Sequence, residues 1–410
     1  MRIQSLDIKN IGPFREGHIE FITENDKQEK PPVTIVTGEN GTGKTIILDA
    51  IRGLFLGYYS RIERDIVSNE NDFVVDAQLI IDHKTKALKS DSLNKDRNNG
   101  FITDDLNFNF LLTHGVNDKS KYPGWVIDYW TSKLATDGFD LKSLTAPKPE
   151  NYLLNALSGI HQNVEVTQLI TYFDYLKSSD NDNEKKMGEA LFEVLKKVIK
   201  LSLNNGEFKY VARKTLTPII EQNGKEISLD KLSSGNLYLI QHMVSMLGKM
   251  YSANVLSGKP LKELCHTPGL LLIDEAENHL HPKWQKTFVN NILEVFPNLQ
   301  IILTTHSPFI VASVENSRIY VCESREDHAE IVDETDVYSN KPIDEILLTP
   351  LFNTQPFNEK ISELIDMRKK AIEEGDNKKR DEIEKKLKSI NPQYFSYFDV
   401  EDLLSNLSGK

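Results

Sequence analysis

The sequence predicts an α/β fold with a mixed sheet built around a phosphate-binding loop. A short apolar run, Val33 to Val36, is followed by a glycine-rich loop and then by an apolar-striped segment that reaches Gly57. Strand, loop and helix in this order open an α/β nucleotide-binding sheet. Two later runs, 270–273 and 301–303, have the continuous hydrophobicity of parallel strands that are buried on both faces. These observations together predict the fold class.

The composition indicates a folded protein in a reducing compartment. The chain has 410 residues, of which 39% are hydrophobic, with 49 Lys and Arg against 61 Asp and Glu and only two cysteines. Such a chain can bury a large core, and two cysteines do not form a disulfide scaffold. Neither an N-terminal signal segment nor an apolar stretch of roughly 18 residues is apparent, so we expect a cytoplasmic protein with no membrane partner. The net charge of -12 gives nucleic-acid binding no support.

The periodicity of apolar residues predicts the remaining elements. Alternation predicts strands, and spacings of three and four predict helices. The predicted strands are 3–8, 19–21, 73–82, two or three within 207–228, and 318–322. The predicted helices lie within 121–201, from the segment at 232–236 to about Tyr251, at 282–296, and in the tail from about 341. Residues 84–120 are rich in Asn, Asp, Lys and Ser and are expected to be loop-like.

Three local features lead to expectations of their own. Asn223-Gly224 predicts a tight turn between two of the short strands. Trp125 and Trp130 are expected in the core of a small helical subdomain, with a partner surface as the alternative. The densely charged segment 368–388 predicts a solvated helix or a short helical hairpin, with a partner or nucleic-acid contact as the alternative.

The segment Gly38–Thr45 matches the phosphate-binding loop pattern. It reads Gly-Glu-Asn-Gly-Thr-Gly-Lys-Thr and lies between a predicted strand and a predicted helix. Backbone N–H groups of such a loop wrap phosphates, while the lysine supplies a cation and the threonine hydroxyl a ligand for Mg²⁺. The predicted nucleotide-binding residues in this segment are Gly38, Asn40, Gly41, Thr42, Gly43, Lys44 and Thr45.

Polar residues follow both of the later apolar runs. Asp274 is placed to hold Mg²⁺, and Glu275 is placed to polarise the attacking water as a general base. His306 lies just beyond the carboxyl end of a predicted parallel strand, where side chains face the ligand crevice; a satisfied core histidine is the alternative. The predicted catalytic residues are Lys44, Glu275 and His306, and the predicted metal ligands are Thr45 and Asp274.

The segment Leu-Ser-Ser-Gly-Asn at 232–236 precedes a predicted helix. Ser and Gly clusters at this place are often simple helix caps. A hydroxyl, a flexible glycine and a helix N-terminus together also form an anion site. Ser233, Ser234 and Gly235 are therefore further candidates for phosphate binding.

In this order the motifs resemble those of the ABC-type ATPases, in the branch of SMC, RecF and overcoming-lysogenization-defect proteins. The segments that carry the resemblance are 8–15, 38–45, 232–236, 272–282 and 304–308, within about 1–60 and 205–325. The resemblance implies an ATPase head with a helical insertion or lid and a helical C-terminal tail, and ATP and Mg²⁺ as cofactors. It also implies that two heads sandwich two ATP molecules, that Ser233 and Gly235 act in trans, and that 278–281 crosses the dimer.

The expected domain division follows from the same motifs. The ATPase core would have an N-lobe with the phosphate-binding loop. Its C-lobe would contain the signature motif at 232–236, the Walker B motif that ends in Asp274 and Glu275, and the H-loop with His306. The expected parts are 1–83 for the N-lobe, 84–205 for an insertion that is loop-rich and then helical, 206–335 for the C-lobe, and 336–410 for a helical C-terminal region. The position of a Q-loop stays open, with Gln78 and Gln162 as candidates.

Two missing features narrow the expected function. The 186 residues between Thr45 and Leu232 carry no sustained heptads, which disfavours a coiled-coil tether. The tail carries no Asp-x-Asp pattern, so we expect no nuclease activity of its own. The chain thus resembles the ATPase subunits of antiphage systems such as Septu, some retrons and PARIS. This similarity implies a slow ATP-driven switch, a homodimer or higher homo-oligomer, and a separately encoded effector such as a nuclease.

Other function classes remain as alternatives at this point. A RecF-like DNA-binding repair ATPase is the main one, and whether DNA is bound directly stays open. A transporter motor subunit is disfavoured by the segment 279–282 and by the long gap between the motifs. An autonomous nuclease would require Mg²⁺-dependent DNA cleavage by the chain alone.

Overall fold

The computed structural model describes residues 1–23, 31–57, 66, 72–92, 106–115, 122–203, 206–352 and 357–398. The chain forms two compact units, Met1–Ile343 and Asp344–Lys410. The predicted division into 1–83, 84–205, 206–335 and 336–410 stays a prediction. Within the ranges given above, no helix combines the length and the apolar character needed to cross a bilayer.

The elements are numbered in chain order. The strands are β1 Arg2–Ile11, β2 Phe14–Glu20, β3 Thr34–Gly38, β4 Val74–Ile81, β5 Lys84–Asp91, β6 Val126–Trp130, β7 Gly206–Ala212, β8 Thr217–Gln222, β9 Lys225–Ser228, β10 Gly269–Ile273, β11 Leu299–Thr304, β12 Arg318–Ser324 and β13 Ala329–Asp333. The α-helices are α1 Lys44–Leu56, α2 Leu106–His114, α3 Asn163–Lys177, α4 Asp182–Ser202, α5 Ser234–Ser257, α6 Pro282–Gln285, α7 Phe288–Val295, α8 Pro308–Val311, α9 Thr335–Tyr338, α10 Ile343–Leu347, α11 Glu359–Glu373 and α12 Asn377–Ile390.

A ten-stranded mixed sheet organises the first unit, in the order β5-β4-β1-β2-β13-β12-β3-β11-β10-β6. The strands from β12 to β6 run parallel to one another, whereas β2, β1, β4 and β5 pair antiparallel. Strand β13 joins the halves, because it pairs antiparallel with β12 and meets β2 at Ala329 and Phe14. The α/β class with a mixed sheet around the phosphate-binding loop is confirmed.

Three neighbouring parallel strands position the candidate site. The order β3-β11-β10 places the carboxyl ends of these strands side by side. Every residue of the three strands is buried, which explains the unbroken apolar runs in the sequence. The residues that follow these ends, Glu39, Asp274 and Thr305, therefore meet at one edge of the sheet, where parallel sheets bind ligands.

Residues 206–228 form a small antiparallel sheet of β7, β8 and β9. The turn between β8 and β9 is Asn223-Gly224, and both residues have positive φ, 55° and 75°. Two central residues in this conformation match the twist of a tight hairpin. The predicted turn and strands are confirmed.

The prediction of a loop-like segment at 84–120 is wrong in two places. Strand β5 pairs with β4 through a two-residue turn, Asp82-His83, with φ of 49° and 63°. Its composition is polar because it is an edge strand, of which only Leu88 and Ser90 are buried. Helix α2 also lies in this segment.

The prediction of a helical segment from 121 to 201 is wrong at its start. Strand β6 is fully buried and pairs in parallel with β10, with Ile127 opposite Leu270 and Tyr129 opposite Leu272. Short apolar runs do not distinguish a strand from a helix, and the partner that makes this one a strand lies far along the chain. Trp125 and Trp130 are thus core residues of the main sheet region rather than of a helical subdomain.

The predicted helices beyond 160 are largely confirmed. Helices α3 and α4 pack on each other and on α5, which is buried along most of its length. Asn181 caps α4 by accepting from two backbone N–H groups. The single helix predicted for 282–296 is instead the pair α6 and α7.

The second unit contains the predicted helical hairpin. Helices α11 and α12 are joined through Gly375, which has a φ of 70°. Arg368 donates to the buried carboxylate of Glu384 across 2.7 Å. A small core packs beneath them, formed by Ile383, Leu387, Phe395 and Phe398. The charged segment 368–388 therefore carries one apolar face.

Candidate nucleotide-binding site

The N-terminus of α1 is open to a phosphate. The residue before it, Gly43, has a φ of 96°, makes no side-chain cap, and is followed by a first turn that lacks acidic residues. Unpaired N–H groups at such an end bind anions. A side chain at Gly43 would lie 2.7 Å from Pro13 and Phe14, so glycine is required by both conformation and space.

Lys44 lies within the loop that it is expected to complete. Its Nζ donates to the carbonyl oxygens of Gly38 at 3.0 Å and Glu39 at 2.7 Å. Burial lowers the pKa of this ammonium group, while the surrounding carboxylates oppose that shift. Thr42 closes the loop by donating to the carbonyl of Glu39 at 2.9 Å.

Three oxygens form a compact group at the metal-ligand positions. The hydroxyls of Thr45 and Thr304 both donate to Oδ1 of Asp274, at 2.9 and 2.7 Å. Asp274 is 8% exposed, and burial raises the pKa of its carboxyl group. A hydroxyl beside a carboxylate is the hard-oxygen donor set that Mg²⁺ prefers, so the residues fit this ion.

Glu275 is held in an unusual backbone conformation. Its φ is 50°, in the left-handed region that costs a non-glycine residue energy and is frequent at functional sites. Its N–H donates to the hydroxyl of Thr304 at 2.8 Å, and its Oε2 accepts from Nδ2 of Asn278 at 2.5 Å. One bond thus holds the backbone of Glu275 and the other orients its carboxylate.

His306 borders the same pocket. Burial lowers its pKa, and the neighbouring Lys44 lowers it further, so the imidazole is neutral near pH 7. A neutral imidazole can donate one hydrogen bond to a phosphate oxygen.

These groups surround a pocket of about 240 Å³. Its lining residues are Asn40, Gly41, Gly43, Lys44, Thr45, Ile46, Glu275, Thr304 and His306. The structure thus brings the three predicted catalytic residues together with most of the phosphate-binding loop. Gly38, Thr42 and Asp274 do not line the pocket. They are hydrogen-bonded to Lys44, Glu39 and Thr45, respectively.

The signature residues lie elsewhere. Ser233, Ser234 and Gly235 are not among the residues that line the pocket of their own chain. Ser233 caps α5 by accepting from the N–H of Asn236 at 3.4 Å. A Cβ at Gly235 would lie 2.3 Å from the carbonyl oxygen of His279, so α5 begins directly against the loop that follows Glu275.

In that loop the sequence motifs predict no role for Glu277 and place Asn278 only in the segment expected to cross the dimer. Glu277 accepts from the hydroxyl of Thr305 at 2.6 Å and from the N–H of His306 at 2.9 Å, and Asn278 contacts Glu275. Glu277 is a third carboxylate within four positions, which was the available signal. Its role depends on the adjacency of β10 and β11, which the sequence does not give. Neither Q-loop candidate, Gln78 nor Gln162, lines the pocket.

A larger cavity of about 710 Å³ lies between residues 145–169 and one face of α5. Its charged lining residues are Lys148, Glu165 and Lys249, and Lys249 lies 3.3 Å from the fully buried carboxylate of Asp128. The lining thus carries two lysines and one glutamate, and the charge of Lys249 is offset by Asp128 behind it, so this cavity has no marked preference for an anion or a cation. Of these two cavities, the pocket beside the phosphate-binding loop is the one that carries the groups of a nucleotide site.

The chain is similar in sequence to known proteins. The chain is 33% identical over 173 residues to "Retron Vc95 probable ATPase" of Vibrio cholerae serotype O1 biovar El Tor, covering 36% of this chain and 32% of that protein. It is 26% identical over 318 residues to Septu protein PtuA of Bacillus thuringiensis, covering 75% of this chain and 72% of that protein. The chain therefore spans about a third of the length of the first relative and nearly three quarters of the second.

The fold has also been compared with solved structures. The SMC head domain from Thermotoga maritima aligns with a TM-score of 0.45 and 15% identity, over 81% of this chain and 99% of that one. Residues 33–312 match the AAA_21 family model, described as "AAA domain, putative AbiEii toxin, Type IV TA system". That match spans both the phosphate-binding loop and the carboxylates that face it. The chain belongs to this family of AAA ATPase domains.

Proposed function

We propose that the chain is an ATP-binding and ATP-hydrolysing switch subunit that works through ATP-sandwich dimers. One observation carries the ATPase part: Lys44, Glu275 and His306 line a single pocket, and the Thr45–Asp274 pair lies at its base. No other chemistry fits a cationic loop, a hydroxyl–carboxylate pair and an oriented glutamate as well.

Each residue has a role in this proposal. The N–H groups of 40–43 and Lys44 bind the phosphates, and Thr45 with Asp274 holds Mg²⁺, which neutralises phosphate charge when bound. Glu275 accepts a proton from the attacking water, and Asn278 keeps its carboxylate oriented. His306 donates a hydrogen bond to the γ-phosphate.

The position of the signature residues supports the proposed dimer. Ser233, Ser234 and Gly235 point to a phosphate-binding role, yet they do not line the pocket of their own chain. A second copy of the chain supplies them in this proposal. ATP then joins the two chains, and hydrolysis releases them.

The biological role rests on the relatives. A retron probable ATPase and a Septu protein match the chain. By analogy with the ATPase subunits of antiphage systems, the effector would be encoded separately. We place this chain in the cytoplasm, in bacterial antiphage defence, where its nucleotide state controls an effector such as a nuclease. Slow turnover suits a switch, because the conformational change is its product.

The ATPase assignment is tested by phosphate release with ATP and Mg²⁺. Glu275→Gln should lower turnover by about 10²- to 10⁴-fold and leave ATP binding intact, because only the proton acceptor is lost. The matched control is Glu315→Gln, which changes an exposed carboxylate outside the site. Equal turnover by the Glu275→Gln variant and the wild type would contradict the assignment.

The effector proposal is tested by co-expression with the genomic neighbours and native mass spectrometry of the complexes. A stable complex with a nuclease-like neighbour supports it. A lone chain that dimerises with ATP and binds duplex DNA in a salt-sensitive manner would instead favour a repair clamp.

A further inference from the structure

We propose that Glu277 is a positioning residue that fixes the His306 segment against the loop carrying Glu275. The inference rests on the proposed ATPase function and adds a residue that is not among those lining the pocket. The proposed role is to fix the His306 side chain relative to the Glu275 carboxylate, since both must face the γ-phosphate.

The sheet alone does not fix that placement. The parallel pairing of β10 and β11 ends at Ile273 and Leu303, and one further backbone bond joins the N–H of Ala276 to the carbonyl of Thr304 at 3.0 Å. Beyond this point the two segments are not paired with each other through their backbones, although the N–H of Thr305 still donates to the carbonyl of Val36 in β3 at 3.0 Å. Side chains must hold the loops together if Glu275 and His306 are to keep a fixed separation.

The carboxylate of Glu277 joins the two loops with both of its oxygens. Oε2 accepts from the hydroxyl of Thr305 at 2.6 Å, and Oε1 accepts from the backbone N–H of His306 at 2.9 Å. Hydrogen bonds to a charged acceptor are short and strong, and two of them fix an orientation. Thr305 is fully buried, so water does not replace the bond when it is lost.

A second side chain supports the same junction. Gln285, at the end of α6, donates from Nε2 to the carbonyl of Leu280 at 2.8 Å and accepts at Oε1 from the hydroxyl of Ser307 at 2.6 Å. Gln285 and Ser307 are also buried, at 9% and 5% exposure. The segment 305–307 is thus held to the segment 277–280 at both of its ends.

Substitution by glutamine or by alanine distinguishes a positioning role of Glu277 from a role in proton transfer. Glutamine has the same shape as glutamate, and its amide can accept from the N–H of His306 while donating to the Thr305 hydroxyl. A Glu277→Gln variant therefore keeps the connection but cannot accept a proton. Alanine removes both bonds.

The test measures ATP turnover and ATP affinity for Glu277→Ala and Glu277→Gln beside the wild type. We expect Glu277→Ala to lower kcat about 10- to 100-fold with less than about a 3-fold change in ATP Kd, because only the alignment is lost. Glu277→Gln should keep kcat within about 5-fold of the wild type. Unchanged kcat in Glu277→Ala would overturn the proposal, and so would equal losses in both variants, since these would indicate a proton acceptor.

Thr305→Val provides an independent variant if Glu277→Ala does not fold. It removes the bond to Glu277 and also the acceptor of the Ser307 N–H, 2.9 Å away, and it should lower kcat. Where Glu277→Ala folds, the double variant Glu277→Ala/Thr305→Val should lose less than the product of the two single losses, because the two residues share a bond. Additive losses would contradict the proposal. A wild type without turnover would contradict the ATPase assignment itself, which separates the two failures.

Discussion

The hydroxyl of Thr45 donates to the carboxylate of Asp274 across 2.9 Å, although 229 positions separate the two residues in the chain. One belongs to the first turn of α1 and the other follows β10. The contact brings the phosphate-binding loop to the carboxylates, at the place where we propose that Mg²⁺ is held.

Changes at Thr45 should alter the metal dependence of ATP turnover. Thr45→Ala removes a hydroxyl ligand and should raise the Mg²⁺ concentration for half-maximal turnover by about 10-fold or more. Thr45→Ser keeps the hydroxyl and should behave like the wild type. The measurement is a Mg²⁺ titration of phosphate release, and equal titrations for the two variants would contradict the assignment of the ligand.

The signature should act in trans. Lys44→Ala disables the phosphate-binding loop and Ser233→Arg disables the signature, so each variant alone should be inactive. A mixed dimer contains one composite site with both motifs intact. Mixing the two inactive proteins should therefore restore about a quarter of the wild-type turnover, because half of the dimers carry one active site of two. No gain on mixing, with both variants folded, would contradict the sandwich.

Gly235→Ala should disturb the contact between α5 and the loop after Glu275. The added methyl group would lie 2.3 Å from the carbonyl oxygen of His279, so one of the two segments must move, at about 1–3 kcal/mol. We expect weaker ATP-dependent dimerisation in light scattering, with ATP binding retained. The matched control is Gly138→Ala, where the nearest atom lies 4.0 Å away. Equal dimerisation by both variants would show that ATP-dependent dimerisation does not require the contact between α5 and the loop after Glu275.

The stability of the protein should fall as the pH drops below about 6.5, because of a buried histidine. Burial lowers the pKa of His161 to about 3, whereas the unfolded chain has the usual value of 6.5. The unfolded chain therefore takes up the proton first, and stability that is complete above pH 6.5 is lost as the pH falls toward 3. The contribution of His161 between pH 7 and pH 5 is about 2 kcal/mol.

Denaturant unfolding at these two pH values checks this effect. His161→Gln should reduce the difference in unfolding free energy by that amount, whereas His266→Gln, at an exposed position, should leave it unchanged. His242 lies with its ring centroid 4.5 Å from that of His161, and burial lowers its pKa as well. A wild-type pH dependence retained in His161→Gln would contradict the prediction.

The ion pair between Lys249 and Asp128 should contribute to the stability of the protein, because its carboxylate is buried. Asp128 is fully buried, accepts from the indole N–H of Trp130 at 3.0 Å and lies 3.3 Å from Nζ of Lys249. Lys249→Met leaves this carboxylate without its cation and should lower the free energy of unfolding by about 3 kcal/mol. Adding Asp128→Asn should recover part of that loss. A double variant less stable than Lys249→Met would contradict this explanation.

The candidate site was largely predictable because its residues follow local patterns. A phosphate-binding loop is recognised from eight consecutive residues, and carboxylates or a histidine after unbroken apolar runs indicate the ends of buried parallel strands. The structure places Lys44, Glu275 and His306 around one pocket, as these patterns predicted. The proposed roles of these residues remain to be tested by the variants above.

The elements that were wrongly predicted depend on distant partners. Strand β6 has five buried residues, too few for their periodicity to distinguish a strand from a helix, and it pairs in parallel with β10. Strand β5 is polar because only one of its faces is covered. Patterns of five to eight residues do not encode which neighbour will be present.

The sequence by itself thus determined the motifs, their order and the α/β class. The reason is that burial repeats with the period of a strand or helix, so apolar and polar residues alternate with the same period along the chain. Only the tertiary structure decided that Glu277 joins the loops after β10 and β11, and that the signature lies outside its own chain's pocket. Both facts depend on which strands are neighbours in the sheet. That adjacency is fixed by the packing of the whole core, which no local stretch of sequence contains.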